Sequence, residues 1–289
     1  MGTLLEEEHM NSCKLKVKGS RCIWTVLLAL FAFLFLLPLL WMLSASVKQP
    51  LEVLGYPIKW IPETLRWENY VKVWTNAQMP FGRCYFNSTF IAVFTLAGQL
   101  IFSSLAAYAF AKMKFKGKQF IFLFFLMAMM IPGQVLQIPR FMMFHKIGLY
   151  DNLWAIILPG WFNASAIFML RQFYTGLPQE LSDAARIDGA GHLRIWGQIL
   201  MPLTKSAMIS LGILGFTTAW NEYLSPLIFL INKQNYTISQ GIRFYLMDEA
   251  REYNLTMAAS ASSILPFLVL FVFCQKYFIE GIATSGMKE

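Results

Sequence analysis

"LSDAARIDGAGHLRIWGQILMPL", residues 181–203, is a polar stretch set between two apolar spans in a chain that otherwise reads as membrane. It opens on small residues (Ala184, Ala185, Gly189, Ala190, Gly191), turns amphipathic, and stops at Pro202. Pro178 suits the first turn of a helix, and Gln179, Glu180 and Asp183 stand near its positive end. Leu181, Ala184 and Ala185 are then expected on one face. Gly189 is expected to end that helix, because glycine adopts the left-handed C-cap conformation at little cost. A second short amphipathic segment carries Leu193, Ile195, Trp196 and Ile199. Neither piece reaches the roughly 20 residues a bilayer crossing needs. An Ala-Ala face admits a close neighbour, which is either a docking partner or the chain's own bundle.

The chain has 289 residues, 57% hydrophobic and 14% charged, with a mean hydropathy of +0.50. Soluble domains average roughly 45–50% apolar and about 25% charged, so a soluble enzyme is excluded. Six windows read as membrane helices: Cys22–Ser46, Phe86–Ala111, Gln119–Ile138, Leu153–Tyr174, Lys205–Ile231 and Leu255–Phe278. Pro132, Gly133 and Pro159 interrupt the third and fourth, which is tolerated where freed backbone groups face protein or a watery cavity. The first window is too long for a signal-peptide core and reads as a retained anchor. The division that follows is a cytoplasmic segment 1–21, a transmembrane domain 22–279 with a loop at 175–204, and a cytoplasmic tail 280–289.

Lysine and arginine set the orientation. Lys14, Lys16, Lys18 and Arg21 precede the first span, and Lys112, Lys114, Lys116 and Lys118 follow the second. With Arg171, Arg186, Arg194 and Lys205 they place the quoted loop and both termini in the cytoplasm. The net charge of +8 is explained in the same way and does not imply nucleic acid. Outside, "IPETLRWENYVKVW" suggests a short helix through Trp67, Tyr70, Val71 and Trp74, lying either in the membrane interface or on top of the bundle. The four cysteines and three histidines show no ligand or redox spacing.

The order of residues in the quoted stretch carries a resemblance. Acid-Ala-Ala at 183–185, Gly189 four positions later, and Leu-x-Pro ending at Pro202 resemble the EAA motif of binding-protein-dependent ABC importer permeases, with Asp183 where that family usually has Glu. "SSLAAYAFAKMKFKGK", "AWNEYLSPLIFL" and "QKYFIEGIATSGMK" are similar, in the same order, to the maltose-type carbohydrate-uptake branch and its shorter, six-span subunit. The resemblance implies an all-α integral membrane protein with the six-transmembrane-helix permease fold and a cytoplasmic coupling helix. Glu180, Asp183, Ala184, Ala185, Asp188, Gly189, Ala190 and Pro202 would couple it to an ATPase. It further implies a second, homologous permease, two ATP-binding cassette subunits, an external sugar-binding protein and residence in the bacterial inner membrane.

The chain has no phosphate-cradling G-x-x-x-x-G-K-[ST] loop. ATP and Mg are therefore expected on partner subunits, with no cofactor bound by this chain and no catalytic or metal residue in it. For the substrate path, Trp220, Asn221, Glu222 and Tyr223 are the candidates, because an acid within a span is costly unless it serves a site. Gln134 and Asn163 are the others. An interfacial aromatic belt with a structural Glu222 is the competing reading. An ion-coupled secondary transporter and a permease for a non-sugar solute stay open as alternative functions.

Overall fold

The computed structural model describes the backbone of residues 2–247 and 252–286, and the side chains of 23–247 and 252–275. Helix α1 (Gly2–Ser46) runs through the expected boundary at residue 22 without a break. A short helix α2 (Glu68–Thr75) leads into α3 (Phe81–Lys112), and α11 (Tyr253–Gly286) is the last helix described. Among the described residues, three stretches are long and apolar enough to cross a membrane by themselves: Ile23–Ser46, Phe81–Lys112 and Tyr253–Gln275. They correspond to the first, second and sixth expected spans.

The others are broken, each by an identifiable residue. Helix α4 (Lys118–Met129) stops before Pro132, whose ring removes an N–H and pushes the preceding residue out of helical geometry. After one tight turn at Gly133–Leu136 the chain resumes as α5 (Gln137–Lys146), bent by 93° from α4. The expected Gln119–Ile138 helix is therefore two helices. The fourth window divides into α6 (Trp154–Gly160) and α7 (Ala164–Gly176), with the Asn163 side chain accepting the Ala166 N–H at 3.0 Å to start the second. After helix α8 (Glu180–Ile187), the fifth window begins as α9 (Lys205–Trp220). It stops eleven residues short of the expected end at Ile231. The Asn221 amide folds back onto the Thr217 carbonyl at 2.9 Å, and α10 (Leu224–Phe229) starts anew. Pro226, lacking an N–H, cannot prolong α9 through this point.

Helix α3 is the axis of the bundle, packed against α6, α7 and α9. Its buried stripe is made of small and polar residues, among them Ser88, Ala92, Thr95, Gly98, Ser103, Ser104 and Ala107. Small residues let neighbouring backbones approach where lipid provides no hydrophobic drive between helices. A Cβ on Gly98 would meet the Trp161 indole at 2.1 Å, so the missing side chain is what admits that ring, whose Nε1 donates to the Phe94 carbonyl at 3.0 Å.

Among the described residues, two apolar cores are the largest. One sits beside α8, around Tyr108, Leu170, Tyr174, Ile195 and Leu200. The other sits beside α2, around Phe81, Phe216, Trp220 and Tyr245. Helix α2 packs on this second core through Tyr70 and Val73, while Val71 and Trp74 stay exposed.

Candidate functional site

Helix α8 forms as expected and ends as expected. Pro178 lies one residue before the N-cap Gln179, and Glu180 and Asp183 occupy the first turn, where the helix dipole favours them. Asp183 also pairs with Arg186 at 3.0 Å. At the other end Gly189 has φ +80°, its N–H reaches the Arg186 carbonyl, and the Ala190 N–H reaches Ala185 at 2.9 Å. Those two bonds are a Schellman closure.

Leu181, Ala184 and Ala185 do not share a face. Ser182 and Ala185 turn inward, Ser182 with no exposure at all, and Ala185 joins the core around Tyr108 and Tyr174. Leu181, Ala184 and Ile187 turn outward at spacing three, with Ile187 87% exposed. Asp188 and Gly189 stand exposed at the same end, Ala190 is half-buried, and Leu193 extends the apolar ridge. Pro202 sits at the turn where segment 192–203 bends by 83° into α9.

Three residues of α3, each four positions from the next, hold this corner to the bundle. The Lys112 ammonium donates to the Leu177 carbonyl at 2.6 Å, the Tyr108 hydroxyl shares a 2.8 Å hydrogen bond with His192 Nδ1, and Ser104 Oγ accepts from Trp196 Nε1 at 3.3 Å. One turn or more above them, the same helix contributes Thr95 and Gln99 to a cavity of about 360 Å³ whose walls mix polar and apolar groups.

That volume is at the lower end of small-molecule sites. Its polar lining comes from Thr95, Gln99, Arg140, Asn163, Ser165, Thr218, Glu222 and Ser225. Glycines make the room: a Cβ on Gly160 would meet Thr95 at 2.4 Å, and one on Gly215 would meet Gln99 Oε1 at 2.9 Å. Glu222 Oε1 accepts the Ser225 N–H at 2.8 Å, so the carboxylate is anchored at the start of α10 with its other oxygen left over. The Thr95 hydroxyl is buried and has no hydrogen-bond partner among the described residues. Arg140 forms no ion pair among them.

Of the expected path residues, Glu222 and Asn163 meet in this cavity, and the rest do not. Trp220 is buried in the core beside α2, stacked on Phe216, with Nε1 donating to the Ser263 carbonyl at 3.1 Å. Asn221 is spent on Thr217, and Tyr223 lies beneath the Arg243 guanidinium at 5.7 Å. Gln134 is exposed on the turn between α4 and α5. Sequence reasoning missed Arg140, Thr95 and Gln99. Arg140 lies just beyond the Gln119–Ile138 window, and the 93° bend returns it to the bundle.

Residues 99–283 match the family described as binding-protein-dependent transport system inner membrane component. The chain belongs to this family. The permease is 35% identical over 91% of its length to the arabinooligosaccharides transport system permease protein AraQ of Halalkalibacterium halodurans, covering 95% of that protein. It is 30% identical over 90% of its length to the sn-glycerol-3-phosphate transport system permease protein UgpE of Yersinia enterocolitica, again covering 95%. The crystal structure of a bacterial ABC transporter that imports the acidic polysaccharide alginate contains a chain of the same fold. The TM-score is 0.79 at 24% identity, with 89% of the permease and 95% of that chain covered. The permease is thus a membrane transport subunit of an ABC importer, a class that works with a partner permease, an ATPase and a binding protein.

Proposed function

We propose that this permease translocates a sugar or oligosaccharide as one of two homologous membrane subunits, driven by two ATP-binding cassette subunits and fed by an external sugar-binding protein. ATP and Mg belong to the ATPases, and this chain binds no cofactor of its own. The observation that carries the reading is the outward ridge Leu181–Ala184–Ile187 on a stiff, doubly closed helix hung from α3. Such a ridge fits a cleft on an ATPase, with Glu180, Asp183, Asp188, Gly189, Ala190 and Pro202 shaping its ends and Ala185 fixing its inner face. Closure of the ATPases on ATP pulls the ridge as a rigid body. Ser104, Tyr108 and Lys112 pass the pull to α3, and α3 moves the walls of the cavity that it also lines. A rigid element with different contacts in two states is what alternating access requires.

In this arrangement α8 and both termini are cytoplasmic. In a cysteine-free background, cysteine at Ile187 should react with an impermeant maleimide only from the cytoplasmic side, and cysteine at Gln234 only from outside. Both positions are exposed. Reaction of both from one side refutes the orientation.

The cavity offers an anchored carboxylate, a guanidinium, amides and hydroxyls, the donor and acceptor set that a polyhydroxylated solute needs. A second reading, an anionic non-sugar solute, is favoured by the Arg140 guanidinium, free of any ion pair among the described residues, and by the glycerol-phosphate permease among the relatives. Uptake by Arg140→Gln and Glu222→Gln complexes separates the two. Glutamine at 222 still accepts the Ser225 N–H, so the backbone should hold. For a neutral sugar both variants should weaken apparent affinity by about tenfold, the worth of a charge-assisted hydrogen bond. For an anionic solute, Arg140→Gln alone should suffer. Unchanged uptake in both would remove the cavity from the path.

A further inference from the structure

The outer segment between α1 and α2 leaves more large apolar side chains uncovered than a solvent-facing loop tolerates. Leu51, Leu54, Tyr56, Ile58 and Ile61 are all exposed, Tyr56 by 95%. This segment does not project away from the membrane. Its chain returns along the end of α1: the Lys48 ammonium donates to the Lys59 carbonyl, the Ser44 hydroxyl to the Trp60 carbonyl, and the Arg66 N–H to the Val47 carbonyl at 2.8 Å. The Trp60 ring meets Trp41 edge-on at 5.3 Å, and the Lys48 ammonium lies 4.1 Å over the Trp41 ring.

These contacts fix a depth. The apolar part of α1 is Ile23–Ser46, 24 residues. At 1.5 Å per residue that is about 36 Å, against about 30 Å of hydrocarbon. Trp41 stands five residues from its outer end, where tryptophan gathers at the boundary between hydrocarbon and headgroups. Trp60, level with Trp41, is held at that boundary too. Lys59 and Glu63 pair on the same fold-back, and Glu52 lies on it, so charges alternate with the apolar groups as an interfacial segment requires.

We infer that residues 51–61 lie in the outer headgroup layer of the bilayer, with Leu51, Leu54, Tyr56, Ile58 and Ile61 set among lipids, as a foot that fixes the height of α1. Lipid is favoured over a protein partner because the segment continues the lipid-level surface of the span itself, down to a shared pair of tryptophans.

The test places a nitroxide at Ile58→Cys and Ile61→Cys, one at a time, in the assembled transporter, in nanodiscs of phosphatidylethanolamine and phosphatidylglycerol. Relaxation by dissolved oxygen is compared with relaxation by a water-soluble nickel chelate, and Gln234→Cys is the solvent reference. Tyr56→Cys replaces either variant that fails to assemble. An oxygen-to-nickel ratio several-fold above the reference, unmoved by adding the external binding protein, is expected. A ratio equal to the reference overturns the inference, since the segment is then in water. Protection from both reagents, or a ratio that changes when the binding protein docks, also overturns it, since a protein then covers these residues.

Discussion

Gly189→Val should reduce substrate-stimulated ATP hydrolysis of the assembled transporter to its basal rate, while the chain still inserts in the membrane. The cause is backbone conformation alone. Gly189 has φ +80°, and no atom lies within 4 Å of where a Cβ would stand, so there is no clash to relieve. An L-residue there costs roughly 1–2 kcal/mol, and a β-branched one costs more because its side chain is least tolerant of positive φ. The helix would instead unwind its Schellman closure, free the Ala185 and Arg186 carbonyls, and tilt the Leu181–Ala184–Ile187 ridge out of register. Asparagine tolerates the left-handed region, so Gly189→Asn should retain most of the coupling and Gly189→Ala should fall between. Stimulated ATPase measured across the three tests that order. Full stimulation with valine would show that the closure does not matter.

Ala184→Glu and Ala185→Glu, one residue apart, should fail for opposite reasons. Ala185 is buried in the same core as Tyr108 and Tyr174. A carboxylate there carries a desolvation cost of several kcal/mol, so α8 should undock from its own bundle and the chain should show lowered yield and melting temperature. Ala184 is exposed. Surface substitutions usually change stability by less than about 0.5 kcal/mol, so Ala184→Glu should fold and insert normally. Its effect should appear only in the complex, as lost association with the ATPase subunits, because the glutamate enters an apolar contact. Melting curves of the isolated chain set beside ATPase co-purification separate the two. Equal behaviour of both variants would mean that α8 has no distinct inner and outer face.

The fold class was legible because composition and the length of apolar windows are bulk properties, and the straight spans fall where hydropathy places them. The end of α8 was legible because a left-handed glycine is a local requirement of one residue. What failed depended on contacts between distant residues. The inward turn of Ser182 follows from the Tyr108–His192 and Lys112–Leu177 attachments, which no wheel contains. Trp220 and Glu222 are two positions apart, yet one lies in the core beside α2 and the other in the cavity, because α9 stops at Trp220. Arg140 could not be assigned without the bend at Pro132.

The central claim is that the outward face of α8 meets an ATPase, and a photo-crosslinker at Ile187 in native membranes tests it most directly. Irradiation should join this chain to an ATP-binding cassette subunit, with the yield changing when ATP and the loaded binding protein are present. The same crosslinker at Gln234, on an exposed turn elsewhere in the chain, should not form that product. Crosslinks from Ile187 only to copies of this chain or to lipid would contradict the account.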